Sequence, residues 1–163
     1  MITEPEFELL LPLACAWAEE QERIILRDGL PLTPAQAADA RRIGVADPNR
    51  VRLLNVDHIP VPMNPALRAA ANVTRLISPD TAGLTLRYGI FIRSDYWGNR
   101  SLVFHELVHT LQYERLGGFQ QFLRQYLHEC ITIGYPNAPL EQEAISMTAK
   151  KQGYPRINAK GRE

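Results

Sequence analysis

His105-Glu106-Leu107-Val108-His109 sets two imidazoles four residues apart, with a carboxylate directly after the first. On a helix, residues four apart differ by about 40° around the axis, so both rings project from one face, one turn apart. Two imidazoles so placed can bind one zinc ion, and a third protein ligand plus water completes a catalytic site. Glu106 lies about 100° further round, beside the ion, where it can hold a water and take its proton as general base. The ion activates that water and polarises a carbonyl, so no protein nucleophile is required. Leu102, Val103, Phe104, Leu107, Val108 and Leu111 surround the three polar residues. A helix apolar around most of its girth is buried, and a buried glutamate beside two imidazoles is costly unless a cation compensates it. The opposing reading is two satisfied core histidines and an exposed glutamate.

The third ligand must come from further along the chain. Thr110 to Gly118 holds no histidine and only Glu114, so the histidine-rich extended signature of the metzincins is absent. The candidates are Glu129, Glu141 and Glu143, with His128 as an outsider. Glu141 and Glu143 open the last helix, after a loop long enough to turn it back over the His105 helix. Residues two apart point to nearly opposite sides of a helix, so at most one of them is the ligand.

On these residues the chain resembles the gluzincin class of zinc metallopeptidases, in which a glutamate on a later helix is the third ligand. Several gluzincin families write that helix as Glu, two residues, Ala, then an acid or amide. Glu141-Gln142-Glu143-Ala144 matches the first four places, and the resemblance thereby assigns the ligand to Glu141. Ile145 stands at the fifth place, where an Asp or Asn commonly orients a histidine ligand. In a rival register Glu143 precedes Ala144-Ile145-Ser146, as in thermolysin-like enzymes, with Met147 where their acid stands. Glu143 is therefore the alternative third ligand.

The resemblance implies a minimal single-domain zincin over 1–163, with the motifs in 84–152, Zn2+ as cofactor and a peptide or protein as substrate. It implies that the strand before the motif helix lines the cleft and pairs with extended substrate, a place expected for Ile90-Phe91-Ile92-Arg93. Tyr135, ahead of the glutamate helix, is a candidate donor to the tetrahedral intermediate, although packing of a loop aromatic explains it as well. Tyr88 and Tyr154 are weaker candidates for that role. Two other functions fit the same residues: a zincin-fold binding or regulatory protein with little or no peptidase activity, and a zinc hydrolase of another amide or ester.

An α+β domain with a small mixed sheet is expected to carry these residues. Phe7, Leu10, Leu11, Ala14, Ala18 and Ile25 predict a helix over 5–27, closed by Asp28-Gly29. Thr33-Pro34 predicts a short helix to Ile43, and Asn64-Pro65 another over 66–71. Val51 to Val61 reads as a strand whose end Pro60 and Pro62 confine to an edge. The alternation through 84–93 reads as one strand with a buried face of Leu84, Leu86, Tyr88, Ile90 and Ile92. Helices over 101–115, 119–131 and 140–152 follow, then a frayed polar tail over 154–163.

Composition excludes more than it selects. The 163 residues are 45% hydrophobic, enough for one sizeable core. Lys plus Arg and Asp plus Glu both number 18, so no field of one sign recommends nucleic acid or an anionic membrane as a partner. The stretch 9–18 contains Pro12 and is too short to span a bilayer, and the acidic start lacks the basic residues of a secretory signal. A soluble cytoplasmic protein is the default. Cys15 and Cys130 read as inert thiols in helices. His58, Glu129 and His128 read as structural, and Arg87 and Arg93 as solvated charges of an edge strand that could also meet substrate carboxylates.

Overall fold

Thr3 accepts a hydrogen bond from the Glu6 backbone N–H, while the Glu6 carboxylate accepts from the Thr3 N–H. This reciprocal cap opens helix α1, Glu4–Asp28, with Phe7, Leu11, Ala14, Ala18 and Ile25 buried at helical spacing. Thr33 and Gln36 cap α2, Pro34–Ile43, in the same way. Asn64 accepts from the Leu67 N–H to start α3, Pro65–Thr74, which runs three residues beyond the predicted end. The computed structural model describes residues 1–152, so Tyr154 and the predicted tail 154–163 lie outside the described residues.

Four strands form one mixed sheet: β1 (Leu30–Pro31), β2 (Arg52–Val56), β3 (Gly83–Leu86) and β4 (Gly89–Arg93), in the order β1-β2-β4-β3. β2 and β4 are parallel, with Leu53 opposite Ile90; the outer pairs are antiparallel. Helices α4 (Arg100–Leu116), α5 (Phe119–Thr132) and α6 (Pro139–Gln152) complete a mixed α+β architecture. No helix among the described residues is long and apolar enough to cross a membrane.

The strand expected over 84–93 is instead a hairpin. Leu86 pairs with Gly89, and the chain reverses through Arg87-Tyr88, with Arg87 in the left-handed region at φ 63°. The reversal shifts the side-chain phase. Leu84 and Leu86 therefore share a face with Phe91, against α1 and α5, whereas Ile90 and Ile92 pack with Ala40 of α2 and with Val103 and Leu107 of α4. Both faces of β4 are covered, so its apolar run is continuous and not alternating. It also follows that Ile90–Arg93 is an interior strand; the edge strand beside α4 is β3. The strand expected over 51–61 ends at Val56, and the stretch holding Pro60 and Pro62, which have no N–H to give a ladder, is not strand.

Arg87 is not a solvated charge. Its guanidinium donates to both oxygens of buried Glu22 at 2.9 and 2.8 Å, and Oε2 also accepts from the Tyr88 N–H at 3.1 Å, bolting the hairpin to α1. Arg93 pairs with Asp95. Asp39 of α2 is a second junction: it accepts two hydrogen bonds from Arg100 at the start of α4 and lies 3.2 Å from Lys151 near the end of α6. Both cysteines are free thiols; Cys130 is buried and Cys15 half-buried.

Candidate metal centre

α4 carries the paired histidines. Asn99 caps its start by accepting from the Leu102 N–H, and Gly117, at φ 113°, ends it in a conformation that suits glycine. Val103, Leu107, Val108 and Tyr113 are buried on several sides of this helix, as an apolar girth requires. His105 and His109 lie one turn apart, edge to face, with ring centroids 5.1 Å from each other. Glu106 and His109 are buried, and the His105 side chain is 18% exposed.

α6 brings the carboxylate. Its first turn is held from outside: Glu129 accepts from the Leu140 N–H at 2.9 Å, and the Gln112 amide donates to the Leu140 carbonyl at 2.9 Å. Glu141 thereby points at the two rings and is only 3% exposed. Its Oε2 lies 2.7 Å from His105 Nε2 and its Oε1 3.2 Å from His109 Nε2. Donor atoms of the three residues all lie within 4.8 Å of one another, a group that could hold a metal ion.

The donor chemistry fits zinc. Two ligands of a tetrahedral ion at about 2.0–2.1 Å sit about 3.3 Å apart. The His109 Nε2–Glu141 Oε1 separation meets that spacing, whereas His105 Nε2 lies closer, against the other oxygen, Oε2, so the His105 ring and the carboxylate must move apart by about half an ångström to share one ion. Tautomer also favours binding. Gln112 Nε2 donates to Leu140 O and to Glu143 Oε1, so its Oε1 faces His109 Nδ1 at 2.8 Å and must accept from it. With the Nδ1 proton so engaged, Nε2 of a neutral ring offers its lone pair to the centre. Without a cation, charge gathers on the same groups. Burial works against charge on His109, but Glu141 and Glu106 outweigh it and raise the His109 pKa. Burial likewise opposes the Glu141 carboxylate, yet the two histidines hold it well below the usual carboxylate range.

Glu106 stands beside this group and lines the same cavity. Thr85 Oγ1, on the edge strand, lies 2.7 Å from Glu106 Oε1 and 3.0 Å from its backbone carbonyl. The other oxygen, Oε2, accepts no hydrogen bond from a described residue. Gly83, two residues earlier, leaves room for this carboxylate: a Cβ there would stand 3.0–3.1 Å from Glu106 Cγ, Cδ and Oε2. The half-buried Tyr135 lines the cavity too, and its hydroxyl has no hydrogen-bond partner among the described residues. Burial, with Glu141 and Glu106 nearby, raises its pKa, so it remains a protonated donor.

Other candidates are elsewhere. Glu143 bonds Arg115 and Gln112 and does not join the histidines. Glu129 supports the start of α6, and His128 faces Glu4 at the surface. The Tyr88 hydroxyl donates to Glu114, and His58 is exposed. Three contributors were not singled out from sequence: Thr85, Gln112 and Tyr126, whose hydroxyl donates to Glu141 Oε1 at 2.9 Å. Gln112 carried a signal, being three residues after His109 on the same helical face. Tyr126 carried only a polar tip on an apolar face, and Thr85 none, because its reach to Glu106 depends on the hairpin.

Compared with protein-family models, curated proteins and solved structures, the chain matches none.

Proposed function

We propose that this chain is a zinc-dependent hydrolase of peptide bonds, with His105, His109 and Glu141 as metal ligands, Glu106 as general base and a minimal zincin-like arrangement of edge strand and motif helix. The observation that carries the proposal is the convergence of two imidazole nitrogens and a buried carboxylate, with a second carboxylate alongside that shares their cavity. A purely structural site closes with four protein ligands and has no use for that extra acid. A zinc ion held there would supply Lewis acidity toward water and the scissile carbonyl.

The chain's own groups divide the remaining work. Thr85 anchors one oxygen of Glu106 and leaves the other free to take a proton from the attacking water. The same carboxyl then returns that proton to the departing amine, so Glu106 ends the cycle as it began. Tyr135, which lines the same cavity, would donate to the oxygen that gains negative charge as the carbonyl is attacked. Gln112 and Tyr126 hold His109 and Glu141 in their bonding orientations.

The test has two parts. Purified protein should carry close to one zinc per chain by elemental analysis, lost in His105→Ala and in Glu141→Ala. Glu106→Gln should keep the zinc and lose cleavage of a mixed peptide library by a factor of about 10²–10⁴. Zinc retained by a wild type that cleaves no peptide would point to the binding or regulatory reading.

A further inference from the structure

Beyond the four polar groups, the cavity continues into an apolar recess walled largely by parts of the chain that carry no motif. Phe7, Ala14 and Trp17 of α1, Leu67 and Ala71 of α3, and Leu127 of α5 line it. The cavity as a whole, polar end included, has a volume of about 130 Å³, so the recess is no larger than the roughly 150 Å³ apolar cavities that take up a benzene ring. No Lys, Arg or Asp lies on this wall; apart from His105, Glu106, His109 and Glu141, its ionisable side chains are tyrosines. Tyr126 and Tyr113 already have acceptors, in Glu141 and the Thr85 carbonyl.

We propose that this recess binds one bulky, uncharged side chain of a peptide, of leucine or phenylalanine size, next to the bond that is cleaved. The location of that bond rests on the peptidase reading above; the chemistry of the recess does not. An apolar group entering it leaves water for an apolar wall. An ammonium or carboxylate would lose its hydration with no partner of opposite charge on the α1 and α3 walls. A small side chain would leave most of the volume without contacting atoms. A long acyl chain would exceed a space that matches a single ring.

The test reads binding without added metal. Trp17 lines the recess and the chain has one other tryptophan, the exposed Trp97, so Trp97→Phe leaves Trp17 as the sole indole reporter. Full-length protein is titrated with the N-acetyl amides of leucine, phenylalanine, aspartate and lysine, and with octanamide. The leucine and phenylalanine amides are expected to bind at least tenfold more tightly than the two charged amides. Ala71→Phe, which narrows the recess from the half-buried face of α3, is expected to weaken that binding at least tenfold with an unchanged thermal melt. Ala70→Phe, on the same wall, serves if the first variant melts early. Equal binding of charged and apolar amides, tighter binding of octanamide, or indifference to the folded filling variant would each overturn the proposal. Because metal plays no part in this readout, absence of hydrolysis in zinc-loaded protein would remove the peptidase reading and leave the side-chain preference standing.

Discussion

At the scale of single residues, the site depends on neighbours that hold its ionisable groups in one orientation. Thr85 commits its hydroxyl to Glu106, and Gln112 Oε1 accepts a hydrogen bond from His109 Nδ1. Replacing Thr85, which also lines the cavity, by the similarly shaped Val should lower kcat about 10- to 100-fold with little change in KM, since it frees the base while keeping the shape of the wall. Thr85→Ser should recover most of that loss, and a variant series in which Ser is as poor as Val would remove the orienting role. For Gln112→Ala, zinc affinity measured by chelator competition should fall by about 10–100-fold. The paired-histidine motif was readable because helical geometry turns a four-residue spacing into shared direction. Its supports were not, because Thr85 and Tyr126 reach the site across elements and only the fold brings them there.

At the scale of elements, helix boundaries were largely legible, since Thr3, Thr33 and Asn64 announce them through local hydrogen bonds. The hairpin was not. Alternation ran unbroken through Arg87-Tyr88, and neither residue is a usual turn former. What secures that turn is remote: Glu22, 65 residues earlier, grips Arg87. Asp39 joins elements in a similar way. Burial opposes its charge, but Arg100 and Lys151 overcome this and hold its pKa below the usual aspartate value. A carboxyl with a depressed native pKa contributes its full stability above the unfolded value of about 3.9, and that contribution disappears as pH falls through the native value. Urea unfolding from pH 7 to 2 should therefore show stability falling below about pH 4, with a shallower fall in Asp39→Asn. At pH 7 that variant should lose about 1–3 kcal/mol, less than a fully buried pair would, because Arg100 is half exposed. An identical acid profile in the variant would mean that other carboxylates govern acid unfolding.

At the scale of the whole molecule, the centre ties α6 to α4 through residues more than thirty positions apart. A ligand that binds only the folded chain stabilises it by mass action, about 2.7 kcal/mol at one hundred times its dissociation constant. Added zinc should thus raise the melting temperature of the wild type and leave that of His109→Ala unchanged; an equal rise in both would place the ion elsewhere. The hairpin turn has an effect at this scale as well. Thr110 of α4 donates to the Arg87 carbonyl at 2.7 Å, the Arg87 guanidinium lies 4.7 Å from the centre of the Phe119 ring, and its backbone keeps a left-handed conformation uncommon for residues other than glycine. One residue is thus a rivet through three helices. Glycine there would relax the local backbone and keep the carbonyl that Thr110 bonds, but it would release α1 and α5 from their common fastening, so the most comfortable residue for the turn is the wrong one for the machine.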